Sequence, residues 1–280
     1  NLFAQTDTAV KKVEYPKGYA AQIDAVYSEI DGWKGREDIY YNPTATKPTP
    51  VVFNIHGGGW NHGIKETQGG FSTFFKIGFA VVNVEYRLTG QATAPAAVED
   101  VRAAILYVVQ HAKELNIDPN KIVVMGGSAG GHLALMAGLL QNDNKFDGAY
   151  KNVKGYTIAA IIDKYGITDV WDWAYGIHKT SSSATQWLGD KAKDEVFADR
   201  LRISNQDLAQ IKSLSRVHGK YSEVFHIDNL GKRTYRIMLS PHEYWSYTSK
   251  KEDKDKIQDL LKNVPGLTIQ EAMQCLSRSL

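Results

Sequence analysis

The chain has 280 residues, of which 43% are hydrophobic and 23% charged, and its net charge is +2. That length and balance suit a folded α/β-sized domain with a sizeable core; so small a charge excess argues against nucleic acid or an anionic membrane as a main partner, and no apolar run reaches the length of a membrane span. The single cysteine, Cys275, excludes an internal disulfide.

In chain order, Asn1-Leu2-Phe3-Ala4-Gln5 resembles the last part of a secretory leader, which predicts a secreted or periplasmic protein. Residues 26–30 and 36–41 read as two short strands joined by an Asp31-Gly32 turn. A Pro/Thr loop over 42–50 leads into three nearly continuous apolar runs, at 51–55, 80–84 and 122–125. Such runs suit parallel strands covered on both faces. Between them, residues 97–114 carry Val98, Val101, Ile105, Val108 and Val109 at helical spacing, with Pro95 just ahead. Residues 129–140 read as an apolar helix and 159–165 as a fourth strand. This alternation predicts a mainly parallel central sheet flanked by helices.

From about residue 204 the text changes: charges are frequent and strongly apolar strands are missing. The domain expectation is therefore a core over 1–203 and an atypical C-terminal segment over 204–280. In that segment, 221–228 and 234–240 could pair as a hairpin. Two helices are expected beyond it, at the capping-box patterns Ser249-x-x-Glu252 and Thr268-x-x-Glu271.

Two motifs carry chemistry. Gly126-Gly127-Ser128-Ala129-Gly130 stands between an apolar strand and an apolar helix, the context expected for a nucleophile elbow. A serine hydroxyl is a weak nucleophile and must be presented to a base. A sharp strand-to-helix turn does this, and glycine at 126 and 130 relieves its crowding. His56-Gly57-Gly58-Gly59-Trp60 follows the first apolar run. Its glycines allow N–H groups to face an oxyanion; the candidate donors are Gly58, Gly59 and Ala129. His56 reads as a structural brace of that loop. Trp171, Trp173, Tyr175, His178 and Trp187 cluster without periodicity and form either a cleft wall or a cover over the sheet edge. Trp60, Trp171 and Trp173 are the candidate substrate-binding residues.

The HGGGW run, Glu85-Tyr86-Arg87-Leu88, the 95–104 stretch, Ile117-Asp-Pro-Asn-Lys-Ile122 and the GGSAGGHLAL run together resemble the esterase/lipase branch of the α/β hydrolases. Within that branch the likeness is to acetyl-esterase and feruloyl-esterase-like members, and it covers about residues 20–200. The resemblance implies an α/β-hydrolase fold and a Ser, acid, His triad with no metal or organic cofactor. It implies a small-molecule or carbohydrate ester as substrate, with short acyl groups such as acetyl or feruloyl on plant polysaccharide. It also implies that Arg87 and Asp100 are structural.

The resemblance implies an apolar strand late in the chain that ends in a His-Gly-x-x-Asp pattern, and no apolar strand after 204 ends that way. Asp228 and His242 stand in the right order after Ser128. The thirteen or so residues between them are too few for a parallel crossover, and a hairpin would set them at opposite ends of the sheet. Asp169 is a rival acid; His178, His218 and His226 are rival bases. The tail also faintly resembles the C-terminal end of conjugative-transfer ATPases, through 217–224 and 244–248, without a P-loop. The alternatives to an esterase are a catalytically impaired hydrolase-fold protein without a complete triad, and a serine peptidase of the same fold.

Overall fold

A computed structural model describes residues 12–194, apart from Asn142, Tyr165, Ile177, His178 and Thr180, together with Phe197 and the backbone of 225–229 and 235–239. The leader-like residues, both capping boxes, the ATPase-like stretches, His178, His218 and His242 lie outside the described residues.

The described strands form one sheet. They are β1 (Ala20–Ile30), β2 (Trp33–Tyr41), β3 (Thr49–Ile55), β4 (Ala80–Val84), β5 (Ile117–Gly127), β6 (Ile158–Lys164), β7 (Phe225–Asn229) and β8 (Tyr235–Leu239). Their spatial order is β1-β2-β4-β3-β5-β6-β8-β7. The central strands β4, β3, β5, β6 and β8 run parallel, while β1, β2 and β7 pair antiparallel. The apolar runs read from the sequence are the middle of this sheet. Val51, Val52, Phe53 and Ile55 of β3 are all buried, as are all five residues of β4. A strand covered on both faces has no polar alternation to display. The Asp31-Gly32 turn joins β1 to β2 with both residues in the left-handed region. The hairpin in the C-terminal segment extends this same sheet, with β8 alongside β6.

Five α-helices are described: α1 (Ser72–Lys76), α2 (Ala96–Gln110), α3 (Ala129–Leu139), α4 (Val170–Tyr175) and α5 (Ser183–Leu188). In α2 the residues Ala97, Val101, Ala104, Ile105 and Val108 are buried at helical spacing. α2 packs on α3, β1 and β2, and α3 packs on β3, β5 and β6. α3 is buried from Ala129 to Gly138. It lies so close to β6 that a Cβ at Gly138 would sit 2.2 Å from Ile161 Cδ1. None of the described helices is long and apolar enough to cross a membrane.

One buried group is out of keeping with the apolar packing. Glu37 of β2 is fully buried, and neither carboxyl oxygen has a hydrogen-bond partner among the described residues. Burial, with the charge of Asp38 added to it, holds its pKa well above the ordinary carboxylate range. The folded protein therefore keeps a proton there that the unfolded chain releases above about pH 4.3. Stability contributed by that proton is complete below the unfolded value and is lost as pH rises toward the folded one. Replacement Glu37→Leu is expected to stabilise the protein by about 1–3 kcal/mol at neutral pH and to flatten this slope. Urea unfolding at pH 5 and pH 8 measures both effects; an unchanged slope contradicts the assignment.

Candidate active site

Parallel register sets the site. Ile55 lies beside Gly126, Gly126 beside Asp163, and Lys164 beside Leu239, so β3, β5, β6 and β8 end at one edge of the sheet. Ser128 sits at that edge between β5 and α3, with φ 53° and ψ −121°. A serine in this region is strained, and its surroundings hold it there. The Ser128 N–H donates to the Lys164 carbonyl at 3.0 Å, and its own carbonyl accepts from the His132 N–H at 3.0 Å.

The turn has no room for side chains at its flanks. A Cβ at Gly126 would lie 2.2 Å from the Gly130 carbonyl oxygen. At Gly130 it would lie 2.3 Å from the Ile55 oxygen and 2.5 Å from that of His56. The helix start is thus pressed against the end of β3, where the glycine loop begins. Gly57 completes the contact: a Cβ there would stand 2.8 Å from the Gly127 oxygen and 3.6 Å from Ser128 Cβ.

Gly58, Gly59 and Trp60 follow with φ of 113°, 54° and 59°. The Gly58 carbonyl accepts from the N–H groups of Asn61 and His62, both at 3.0 Å, and closes the turn. The Gly58 and Gly59 N–H groups are not among the loop and turn donors bonded to backbone in the described residues. Ala129 opens α3, where the first N–H groups of a helix have no partner within it.

His56 is a brace, as its position suggested. Its ring stacks on Tyr86 with centroids 4.3 Å apart, and Nδ1 bonds the Gly57 carbonyl at 2.7 Å. Burial lowers its pKa, which favours the neutral ring. Arg87 grips Asp100 through Nε and Nη2, and the Arg87 N–H adds a bond of 2.8 Å to the same carboxylate. That pair ties the end of β4 to α2. Lys65, also buried, bonds Asp24 at 2.9 Å, Asp38 at 2.8 Å and Glu66 at 2.9 Å. Burial alone would lower its pKa, but these three partners outweigh it and hold the amine above its usual value. The far end of the glycine loop is anchored there to β1 and β2.

The aromatic expectations divide. Trp60 is completely buried, its ring stacked on Trp187 of α5 with centroids 4.5 Å apart. It has no surface to offer a ligand, so its expected substrate contact is corrected to a packing role. Trp171 and Trp173, on α4, are half-buried. Asp169 caps α4 by accepting the Asp172 N–H at 2.9 Å.

Asp228 is placed by its backbone away from the elbow. It pairs with Arg236, which lies beside Ile161 and in turn beside Val124. That level is four residues below Ser128, roughly 13 Å along the strand direction and three strands away. The expectation of Asp228 as triad acid is corrected on this ground: an antiparallel β7 carries it toward the opposite edge. His226 pairs with Met238 in the same hairpin. β8, by contrast, runs parallel to β6 and delivers the chain to the elbow's edge at Leu239, three residues before His242.

The sequence reading passed over Lys164, Ser183 and Gln186. Lys164 ends β6 next to the elbow, and burial lowers its amine to about 8. No ion pair to it is found among the described residues. A lysine closing an apolar strand was the available signal. Among the described residues no group of three His, Cys, Asp or Glu side chains could hold a metal ion.

The sheet order and the strand–serine–helix turn define an α/β-hydrolase fold. The BD-FAE family model matches residues 37–206, more than half of the chain, and the chain belongs to that family. It is 32% identical over 170 residues to a probable carboxylic ester hydrolase, LipM, of Mycobacterium tuberculosis, covering 59% of this chain and 39% of that protein. It is 36% identical over 158 residues to the carboxylesterase NlhH of the same species, covering 51% of this chain and 50% of that one. The chain thus spans half or less of these curated relatives. Among solved structures, a bifunctional GH43-CE protein of Bacteroides eggerthii is similar with a TM-score of 0.54 and 26% identity, covering 65% of this chain and 28% of that one. Esterase B of Lactobacillus rhamnosis shares the fold over 94% of this chain and 89% of its own, with a TM-score of 0.60 and 16% identity.

Proposed function

We propose that this chain is a serine carboxylic-ester hydrolase with Ser128 as nucleophile. The observation that carries the reading is the strained Ser128 at the start of α3, held against a glycine loop with three successive left-handed residues. Membership of the BD-FAE family and the names of the curated relatives support it.

In this reading Ser128 Oγ attacks the ester carbonyl and its proton passes to a histidine. The N–H groups of Gly58, Gly59 and Ala129 hold the oxyanion, aided by the N-terminal dipole of α3. The histidine returns the proton to the departing alcohol. Water then releases the acid from the acyl-enzyme by the same two transfers. His242 is the proposed base. Three residues beyond Leu239 span up to about 10 Å, which matches the two strand spacings of about 4.8 Å between β8 and β5. Asp169 is the proposed acid, because it follows β6 on the elbow's side of the sheet.

The proposed substrates carry short acyl groups, such as acetyl, on a polysaccharide. A cramped glycine loop suits a small acyl group, and half-buried Trp171 and Trp173 offer flat surfaces for a sugar. Hydrolysis of p-nitrophenyl acetate tests the base. The rate is expected to rise through a single limb near about pH 6.5 as the histidine loses its proton, and His242→Ala should lose about 10³-fold or more of kcat. A His242→Ala enzyme with wild-type kcat and an unchanged limb rejects that residue as the base.

A further inference from the structure

α5 touches the glycine loop at three successive residues. Trp187 stacks on Trp60 with an interplanar angle of 9°. Gln186 Oε1 accepts from Asn61 Nδ2 at 2.9 Å. Ser183 stands so near Gly59 that a Cβ there would lie 3.0 Å from the serine's own Cβ. Residues 183, 186 and 187 have the i, i+3, i+4 spacing of one helical face. The same aromatic pair meets the elbow helix: Trp60 and Trp187 both stand edge-on to His132, at 5.4 Å and 5.2 Å. His132 lies one turn beyond Ser128. The Trp187 carbonyl also accepts from the Ala94 N–H at 2.7 Å, which fixes α5 to the segment before α2.

A loop with left-handed backbone at Gly58, Gly59 and Trp60 does not hold its shape by its own hydrogen bonds alone. Trp60 bears the largest part of that cost, because it has a side chain. Donors for an oxyanion act only if they are aimed before the charge develops, and small displacements weaken them steeply. We propose that the face of α5 formed by Ser183, Gln186 and Trp187 is the positioning element for the glycine loop, fixing the Gly58 and Gly59 N–H groups relative to Ser128. Trp187 and Gln186 are positioning residues: they act through Trp60 and Asn61, without touching substrate. The proposal rests on the esterase reading for its kinetic consequence but not for its structural one.

The test combines kinetics with amide hydrogen exchange on the full chain, for Trp187→Leu, Trp187→Phe and Gln186→Ala. Trp187→Leu is expected to lower kcat for p-nitrophenyl acetate by about 10–100-fold with KM within about 3-fold, since the donors serve the transition state. Trp187→Phe retains a stacking ring and should recover most of that loss. In both Trp187→Leu and Gln186→Ala, the amides of Asn61 and His62, which bond the Gly58 carbonyl, should exchange faster while those of β3 and β5 keep their protection. Gln186 is exposed, so its variant serves even if Trp187→Leu does not fold. Unchanged exchange at Asn61 and His62 in the folded variants overturns the proposal, as does a raised KM with wild-type kcat. A wild type without ester turnover rejects the esterase reading instead, and the exchange data still decide the role of α5.

Discussion

Replacement of Ser128 by alanine is expected to lower kcat for a short-chain p-nitrophenyl ester by about 10⁴-fold or more, with folding intact. The size of the loss follows from the chemistry. Without the hydroxyl no acyl-enzyme forms, and what remains is the contribution of binding and of the loop's N–H groups to direct attack by water. Alanine keeps the Cβ and removes only Oγ, so the crowded contacts of Gly126, Gly130 and Gly57 are untouched. The left-handed conformation at φ 53° is equally strained for alanine, so the unfolding midpoint should move little. Steady-state kinetics beside urea unfolding separates the two effects. A large fall in stability would mean the hydroxyl also holds the turn together.

The largest expected effect on stability lies far from the elbow. Arg102 of α2 bonds Asp147 through Nε at 2.7 Å and Nη2 at 2.8 Å, and the two side chains are 1% and 4% exposed. The guanidinium also donates to the Ala137 carbonyl and to the Tyr156 hydroxyl, which in turn donates to the Gln141 carbonyl. This network joins α2, α3 and the loop leading to β6. Asp147→Ala leaves a guanidinium buried without its counter-charge and should cost about 3–5 kcal/mol. Replacing both partners by leucine removes the charge as well as the pair and should cost much less. Urea unfolding of the single and double variants gives the comparison. A single variant within about 1 kcal/mol of wild type would show that water or another group takes over the carboxylate's place.

The centre of the sheet was readable because burial on both faces leaves a continuous apolar run, as in β3 and β4. The elbow was readable because its glycines answer to backbone crowding, which depends on local sequence. β5 was read short: it starts at Ile117, since Thr49 extends the pairing past the polar Asp118-Pro119-Asn120. α4 and α5, six residues each, are too brief to show a period. Trp60 was misread for a different reason. Its neighbours face the site, but its own left-handed φ turns the ring inward onto Trp187, a partner 127 positions later that no local pattern announces. The Arg102–Asp147 pair is equally invisible in the text, being made across 45 positions. For Asp228, chain order suggested a role that the antiparallel register of β7 takes away. The fold was therefore legible where the physics is local. The partners of Ser128 depend on where distant segments meet, and Asp169 and His242 stand as proposals on that ground.

The most direct test of Ser128 as an activated nucleophile is intact-mass analysis after brief exposure to a fluorophosphonate, followed by peptide mapping. The account predicts one adduct per chain, located on Ser128 and absent from Ser128→Ala. A folded wild-type protein that stays unlabelled, or carries the adduct on another residue, would contradict it.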